Sequence, residues 1–141
     1  MNSQSDVRPR GLDEHIRAEN DHDLDGIAAS FAADAVLILN GQTFRGRELI
    51  RTVHEGFGFG ENGAFAGIHI RVNARHATAA GAIILEQTLS ATHVGTWDGV
   101  AATGRAVEVG VCTVYELNDA GELSTERIYF DGASLLEQLR S

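Results

Sequence analysis

One stretch near the end of the chain decides the fold: Thr125-Glu126-Arg127-Ile128-Tyr129-Phe130-Asp131-Gly132-Ala133-Ser134-Leu135-Leu136-Glu137-Gln138-Leu139. Its first half is rich in β-branched and aromatic residues and alternates like a strand. Its second half places leucines at helical spacing. Asp131 lies at the junction and has two interpretations. It either caps the helix through the first backbone N–H groups, or faces a cavity as an acid or base.

The length and composition predict one globular domain. A chain of 141 residues buries a sizeable core, and its 43% hydrophobic content, with six Phe, one Trp and two Tyr, is not that of a disordered chain. Residues 1–10 are polar and are expected to form a loose arm. Residues 11–141 are expected to form the single domain.

Charge and cysteine content limit the partners. The net charge is −9, with 20 acidic against 11 basic residues. Nucleic acids and anionic membranes require a basic face, so we expect neither as a partner. No run approaches the roughly 18 apolar residues of a membrane span, and the polar start is not that of a signal peptide. Cys112 is the only cysteine. We therefore expect a cytoplasmic protein.

Hydrophobic periodicity predicts helices first and strands second. Helices are expected over 11–20, from the N-cap Asp23 to Phe31, and over 47–57, with a short buried strand over 34–39 and a turn at Asn40-Gly41. Long strands are then predicted over 68–78, 82–94, 106–117 and 122–130. This order indicates an α+β fold with a curved, mostly antiparallel sheet. The Gly-rich stretch 56–63 lacks a phosphate-binding motif, and we predict a mobile flap carrying Phe57, Phe59 and Phe65 over a cavity.

Three separated pieces of sequence carry a resemblance to a known family. They are Phe31-Ala32-Ala33-Asp34-Ala35-Val36 with Phe44-Arg45-Gly46-Arg47-Glu48, then Thr92-His93-Val94-Gly95 with Thr103-Gly104-Arg105, and finally 126–131 with 135–139. In this order and spacing they resemble the SnoaL-like polyketide cyclases, which share the fold of nuclear transport factor 2 and ketosteroid isomerase. The resemblance extends from Leu12 to Leu139.

The resemblance implies a cone-shaped α+β barrel, with the N-terminal helices packed in the concave face of a strongly curved sheet around an apolar pocket. It implies a homodimer through the outer sheet face and no metal or organic cofactor. In the cyclases the residue matching Asp131 is the acid/base of an aldol closure, with the match of His93 nearby. Isomerases, dehydratases, epoxide hydrolases, hydroxylases and inactive members share the fold, so it names no single reaction.

The sequence differs from several related enzymes at functional positions, and these differences limit which reaction is expected. Ketosteroid isomerases carry a catalytic Asp where this chain has Leu39 and Asn40, which argues against steroid isomerisation. Many cyclases have a longer, Pro-containing segment where this chain has residues 97–102, so their substrate is not carried over. Arg127 and Asp131 match only part of the Asp-Arg-Asp set of limonene-type epoxide hydrolases.

The candidate site residues follow from strand alternation and from the resemblance. Predicted catalytic residues are Asp131, His93 and Tyr129, and predicted substrate-binding residues are Asn40, Phe57, Phe59, Trp97, Gln87 and Arg127. Each has a structural alternative. His93 can bond to backbone, Tyr129 can be a core phenol, and Arg127 can pair with Glu108 or Glu86. The aromatic residues can be core or lid.

The spacing of the histidines and the surroundings of the serines do not indicate a metal site or a nucleophilic serine. His15, His22, His54, His69 and His76 show no zinc-ligand spacing, and neither Ser90 nor Ser134 lies in a nucleophile-elbow motif. The sequence therefore predicts no metal.

We accordingly expect an enzyme that uses acid/base chemistry on a hydrophobic cyclic or polyketide-like small molecule. The alternatives are a non-catalytic small-molecule-binding or dimerisation domain, or an epoxide hydrolase- or hydroxylase-like relative. The strand over 106–117 alternates two rows that both include apolar residues, which favours a sheet covered on both faces and hence a homodimer.

Overall fold

The computed structural model describes residues 3–141, and side chains from residue 11 onward. Its helices are α1 (Ser3–Asn20), α2 (Leu24–Ala29), α3 (Arg47–His54) and α4 (Gly132–Arg140). Its strands are β1 (Phe31–Leu39), β2 (Gln42–Arg45), β3 (Phe65–Ala77), β4 (Ile83–His93), β5 (Ala106–Leu117) and β6 (Leu123–Phe130). The predicted α+β class is confirmed.

The six strands form one curved, unclosed sheet in the order β2-β1-β6-β5-β4-β3. Neighbouring strands pair antiparallel except β1 and β6, which run parallel. β1 is the first strand of the chain, but its parallel partner β6 is the last. The pair therefore joins the N-terminal part of the chain to the end of the antiparallel run from β3 to β6. The N-terminal helices pack on one face of the sheet, and this arrangement confirms the predicted cone.

The N-terminal elements differ in extent from the sequence prediction. The backbone of α1 is helical from Ser3, so residues 3–10, expected in the arm, continue the helix, while Met1 and Asn2 lie outside the described residues. Helix α2 ends at Ala29, and Phe31 begins β1 rather than ending the helix. Phe31 pairs with Leu123 of β6 and is fully buried. Pairing with a distant strand thus overrides a local helical spacing.

The region after β1 contains a hairpin and an irregular helix end. The predicted Asn40-Gly41 turn is present, with φ of 47° and 89°, the signs of a type I′ hairpin turn. It leads into β2, which is short and polar and was not predicted. Helix α3 ends at His54 and continues as a π-helical turn, Glu55–Phe59. Within it Gly58, at φ 140°, packs directly against the Phe65 carbonyl, so this part of the predicted flap is packed against the sheet.

The core lies between the helices and the concave sheet face, and it joins residues from all parts of the fold. Large, fully buried members include Leu12, Ile27, Phe31, Leu37, Ile50, Phe65, Leu85, Tyr115, Leu123 and Leu135. Among residues 3–141 no helix combines the length and the apolar character needed to cross a membrane.

Asn20 fixes the end of α1 against the sheet. Its side chain accepts a hydrogen bond from the Ile70 N–H at 2.7 Å and donates one to the Ile70 carbonyl at 3.0 Å. The side-chain amide thereby makes to Ile70 the two hydrogen bonds that a neighbouring strand would otherwise make at the edge of β3. Since α1 also carries His15 and Glu19, this bond sets the position of those side chains over the sheet.

We predict that Asn20→Ala lowers the free energy of unfolding by about 1–3 kcal/mol, because it leaves two backbone groups of Ile70 without their partner. Asn73→Ala is the matched control on β3. The Asn73 side chain is exposed and bonds Thr88 at 2.8 Å, so its loss should cost less than about 0.5 kcal/mol. Urea unfolding of both variants measures the difference. Equal losses would contradict the anchoring role of Asn20.

Candidate functional site

A cavity opens between the helices and the concave face of the sheet. It has about 810 Å³ of space not filled by atoms, counting the solvent at its mouth. Most of its wall is apolar, with Leu37, Leu39, Val53, Phe57, Phe59, Phe65, Ile70, Leu89, Val107, Val109, Val111, Ile128, Phe130 and Leu135. A wall of this character suits a small hydrophobic molecule.

Four ionisable side chains meet at the inner wall of this cavity and are called the buried cluster here: His15, Glu19, His54 and Glu126. His15 Nε2 lies 3.4 Å from Glu19 Oε1 and 3.4 Å from Glu126 Oε2. His54 Nε2 lies 3.7 Å from Glu19 Oε2 and 3.9 Å from Glu126 Oε1. Imidazoles and carboxylates therefore alternate in a closed ring. Glu19, His54 and Glu126 line the cavity, and His15 lies behind them at 0% exposure.

Three elements bring the buried cluster together. His15 and Glu19 are four residues apart on α1, so they share the helix face that also buries Leu12. His54 is the last residue of α3. Glu126 lies in β6, and Ile128 and Phe130, the following residues on the same face, also line the cavity. The convergence depends on α1, α3 and the sheet packing together, and no single segment contains it.

The other ring nitrogen of each histidine is held by the protein. His54 Nδ1 lies 2.8 Å from the Ile50 carbonyl, an acceptor, so this nitrogen carries a proton. His15 Nδ1 lies 2.7 Å from the Ser30 hydroxyl, which itself donates to the Ile27 carbonyl at 2.5 Å. The serine proton is thus engaged elsewhere and His15 Nδ1 is the donor. Both rings consequently point Nε2 at the two carboxylates.

The charges in the buried cluster stabilise one another. Burial alone lowers the pKa of His15, but attraction to Glu19 and Glu126 outweighs it and raises the pKa to about 10. Burial alone raises the pKa of Glu19, but His15 and His54 lower it to about 2. Burial likewise opposes protonation of His54, and its contacts with Glu19 and Glu126 still raise its pKa. Glu19 is therefore ionised and faces positive charge on the histidines.

Further polar groups line the cavity beside the buried cluster. Tyr115 neighbours Glu126 across the β5–β6 ladder, and burial, with the charges of Glu126 and Glu19, raises its pKa well above the usual value. The phenol therefore stays protonated and is a hydrogen-bond donor. Gln87 lies on the next strand, where the Thr113 hydroxyl donates to its Oε1 at 2.9 Å and so directs its NH₂ group. The apolar wall thus carries localised donors.

Asp131 lies outside the cavity, in contrast to the expected pocket position. Its side chain is exposed, and its Oδ1 accepts a hydrogen bond from the Ser134 N–H at 3.1 Å at the start of α4. Alternation along β6 turns Glu126, Ile128 and Phe130 inward. Asp131 follows the last strand residue and has N-cap geometry, so the capping interpretation describes its position.

His93 is fully buried, but it does not line the cavity. Its Nδ1 accepts a hydrogen bond from the Thr103 N–H at 3.2 Å and lies 2.9 Å from the Thr103 hydroxyl. Its ring packs against Phe65, with centroids 5.4 Å apart. His93 and Asp131 are therefore not brought together at the cavity, and His93 ties the loop before β5 to the end of β4.

Two predicted residues lie on the outer face of the sheet. Tyr129 is 47% exposed and pairs with Cys112 of β5. Arg127 bonds Glu116 Oε2 at 2.7 Å, which is the expected type of sheet ion pair but with a different acidic residue from Glu108 or Glu86.

Asn40 is exposed, and its Oδ1 accepts the Phe130 N–H at 3.0 Å, so it fixes the hairpin turn against β6.

The remaining predicted binding residues divide between the wall and its support. Phe57, Phe59 and Gln87 line the cavity, and their role in substrate binding stays a prediction. Trp97 is half-buried and does not line it, although its ring contacts Phe57 at 5.3 Å. Trp97 therefore supports the aromatic wall from behind.

The residues that form the buried cluster were not among the sequence-predicted site. One local signal was present, because His15 and Glu19 share a helix face with the apolar Leu12 and polar residues are uncommon there. His54 and Glu126 gave no comparable signal. Of the described residues, His15, Glu19 and His54 also form a set that can hold a metal ion, since their ligand atoms all lie within 4.8 Å of one another.

Comparison with solved structures finds this fold in several proteins. AclR, a proposed hydroxylase from Streptomyces galilaeus, is 24% identical, with a TM-score of 0.78 over 94% of this chain and 84% of that chain. A proposed polyketide cyclase from Xanthomonas campestris is 18% identical, with a TM-score of 0.84 over 96% and 98%. An epoxide hydrolase of M. tuberculosis, described as LEH-like, is 21% identical, with a TM-score of 0.72 over 99% and 92%. At these identities the likeness establishes the fold.

No curated protein matches the chain significantly. The model of the SnoaL-like domain matches residues 12–124, which is most of the chain. This match includes the second half of α1, the helices α2 and α3 and the strands β1–β5, and it agrees with the topology described above. The chain therefore belongs to the SnoaL-like domain family.

Proposed function

We propose that the protein is a SnoaL-type enzyme that binds a hydrophobic cyclic or polyketide-like molecule in the cavity and moves a proton next to a carbonyl group. The observation that carries this proposal is the buried cluster itself. Ionisable groups are rarely placed without solvent at the wall of an apolar cavity unless they serve chemistry or binding there.

Within the buried cluster, Glu126 is the proton acceptor in this proposal. It lines the cavity, and its Oε1 has no hydrogen-bond partner within the described part of the chain. Tyr115 and the NH₂ group of Gln87 are donors on neighbouring strands, suited to a carbonyl oxygen that becomes an enolate. Donors fixed before the reaction stabilise such a charge without having to reorganise.

The structural relatives support a small-molecule reaction and leave its type open. Solved structures with this fold include proposed polyketide cyclases and an LEH-like epoxide hydrolase. An epoxide-hydrolase reaction using Arg127 and Asp131 has no geometric basis here, because Arg127 pairs with Glu116 on the outer face and Asp131 caps α4. Proton transfer at the buried cluster fits the described side chains better.

We predict that Glu126→Gln lowers turnover by roughly 10²–10⁴-fold, because the amide keeps the shape but cannot accept the proton. Asp131→Asn is the matched control. It removes a carboxylate outside the cavity, and Asn caps a helix about as well as Asp, so turnover and melting temperature should both stay unchanged. Steady-state kinetics on a panel of cyclic ketones and aromatic polyketide esters measures the effect.

Equal turnover by the parent and Glu126→Gln would remove Glu126 from the mechanism. A loss confined to Asp131→Asn would restore the junction residue as the acid/base. A parent that binds hydrophobic ligands tightly but converts none of the panel would favour the non-catalytic binding domain. Circular dichroism of Glu126→Gln confirms folding before its kinetics are compared.

We also infer that the outer sheet face mediates a homodimer. Cys112 and Val114 on β5 and Ile84 on β4 form a partly exposed strip there, continued by Tyr129. Acidic and basic residues flank it, including Glu86 with His76 at 2.7 Å. An apolar strip bordered by charge is a typical centre and rim of an interface.

We predict a particle of twice the 15.1 kDa chain mass at micromolar concentration, measured by light scattering. Tyr129→Glu should shift it toward the monomer, because it places a charge next to the partner's apolar strip. Arg45→Glu, at an exposed position on the edge strand β2, is the control and should leave the mass unchanged. A monomeric parent would contradict this inference without affecting the proposed reaction.

A further inference from the structure

We propose that the buried cluster binds a divalent transition-metal ion such as Zn²⁺, with His15, Glu19 and His54 as its ligands and Glu126 beside the ion on the cavity side. The inference deepens the proposed function and rests on the same site. It reverses the expectation from histidine spacing, because two ligands lie on α1 and the third on α3, far apart in the sequence.

The separations between the ligand atoms fit a shared ion. Nitrogen and oxygen ligands lie about 2.1 Å from zinc, so neighbouring ligands of a tetrahedral site are separated by about 3.4 Å. The observed distances are 3.4 Å from Glu19 Oε1 to His15 Nε2 and 3.7 Å from Glu19 Oε2 to His54 Nε2. One ligand atom from each of the three residues lies within 4.8 Å of the other two. Two imidazoles with one carboxylate form a common ligand set for catalytic zinc and for non-haem iron.

Direct hydrogen bonding explains these distances less well. Charge-assisted N–H···O bonds are about 2.7–2.9 Å long, whereas all four nitrogen–oxygen separations in the buried cluster are 3.4–3.9 Å. Among the described residues, His15 Nε2, Glu19 Oε1 and Glu126 Oε1 are buried without a hydrogen-bond partner. Buried polar atoms without a partner are rare in native proteins. An ion between them would satisfy atoms from all three residues.

The surroundings of both histidines are those expected of metal ligands. A metal-bound histidine usually donates its other ring N–H to a carbonyl or another fixed acceptor, which orients the ring. His54 does so to Ile50, and His15 does so to Ser30, whose hydroxyl is itself held by Ile27. In each ring Nε2 is therefore the nitrogen aimed into the cluster.

Charge and access are also compatible with an ion. Two carboxylates in a buried site require about two positive charges close by. In the metal-free cluster the protonated histidines supply positive charge, and a divalent ion bound to neutral imidazoles would supply it in place of their Nε2 protons. Glu19 and His54 reach the cavity wall while His15 lies behind, so one side of the ion would face the cavity. A bound metal ion polarises a carbonyl oxygen as a Lewis acid, next to the carboxylate of Glu126.

The test is titration of the full chain, freed of metal by chelator and dialysis, with ZnCl₂ by isothermal calorimetry. We expect one ion per chain and a rise in melting temperature with Zn²⁺. Glu19→Gln and His54→Gln should each weaken binding by at least tenfold. His76→Gln is the control, because His76 pairs with Glu86 on the outer face and is the other described histidine bonded to a carboxylate.

Three results would overturn the inference. The parent binds no Zn²⁺, both cluster variants keep stoichiometric binding, or His76→Gln abolishes binding. If either variant fails to fold, Co²⁺ bound to the parent decides. Intense visible bands of a four-coordinate Co²⁺ support the site, and their absence contradicts it. Binding of Zn²⁺ without turnover of any carbonyl substrate would overturn the proposed function alone. Turnover without Zn²⁺ binding would overturn the metal site alone.

Discussion

Two carboxylates and two imidazoles are buried together in this structure, and their contacts constrain the packing of the helices on the sheet most strictly. Removing one partner from a buried charge pair typically costs about 3–5 kcal/mol, because the other charge stays buried and unpaired. His15, Glu19, His54 and Glu126 therefore need α1, α3 and β6 in fixed positions. The bond between Asn20 and Ile70, which holds α1 to the sheet, belongs to the same requirement.

The same strands form both the wall of the cavity and the outer face of the sheet. On β5 the residues Val107, Val109, Val111, Thr113 and Tyr115 line the cavity. The residues between them face outward, where Cys112 and Val114 stay partly exposed. Because side chains alternate along a strand, chemistry in the cavity and association on the outer face can be varied independently. This separation explains why the proposed reaction and the inferred dimer are tested by different substitutions.

Membership of the SnoaL-like family describes the architecture better than the reaction. The residue matching the cyclase acid/base, Asp131, caps α4 outside the cavity, and His93 binds Thr103 away from it. The ionisable groups that reach the cavity come from other elements. A shared fold fixes where a cavity forms, whereas the side chains at its wall decide what it does. The function is therefore argued from the buried cluster.

The sequence by itself determined the α+β class, the Asn40-Gly41 turn and the strand over 106–117, because each depends on local periodicity or turn chemistry. It left Asp131 open between a helix cap and an acid/base, and only the structure showed the cap. Three residues that the sequence named for substrate binding, Phe57, Phe59 and Gln87, lie at the cavity wall. Only the tertiary structure brought His15 and Glu19 to His54 and Glu126. Those contacts join residues 35 or more positions apart, and spacing along a chain carries no information about pairs that meet only when separate helices pack on a curved sheet.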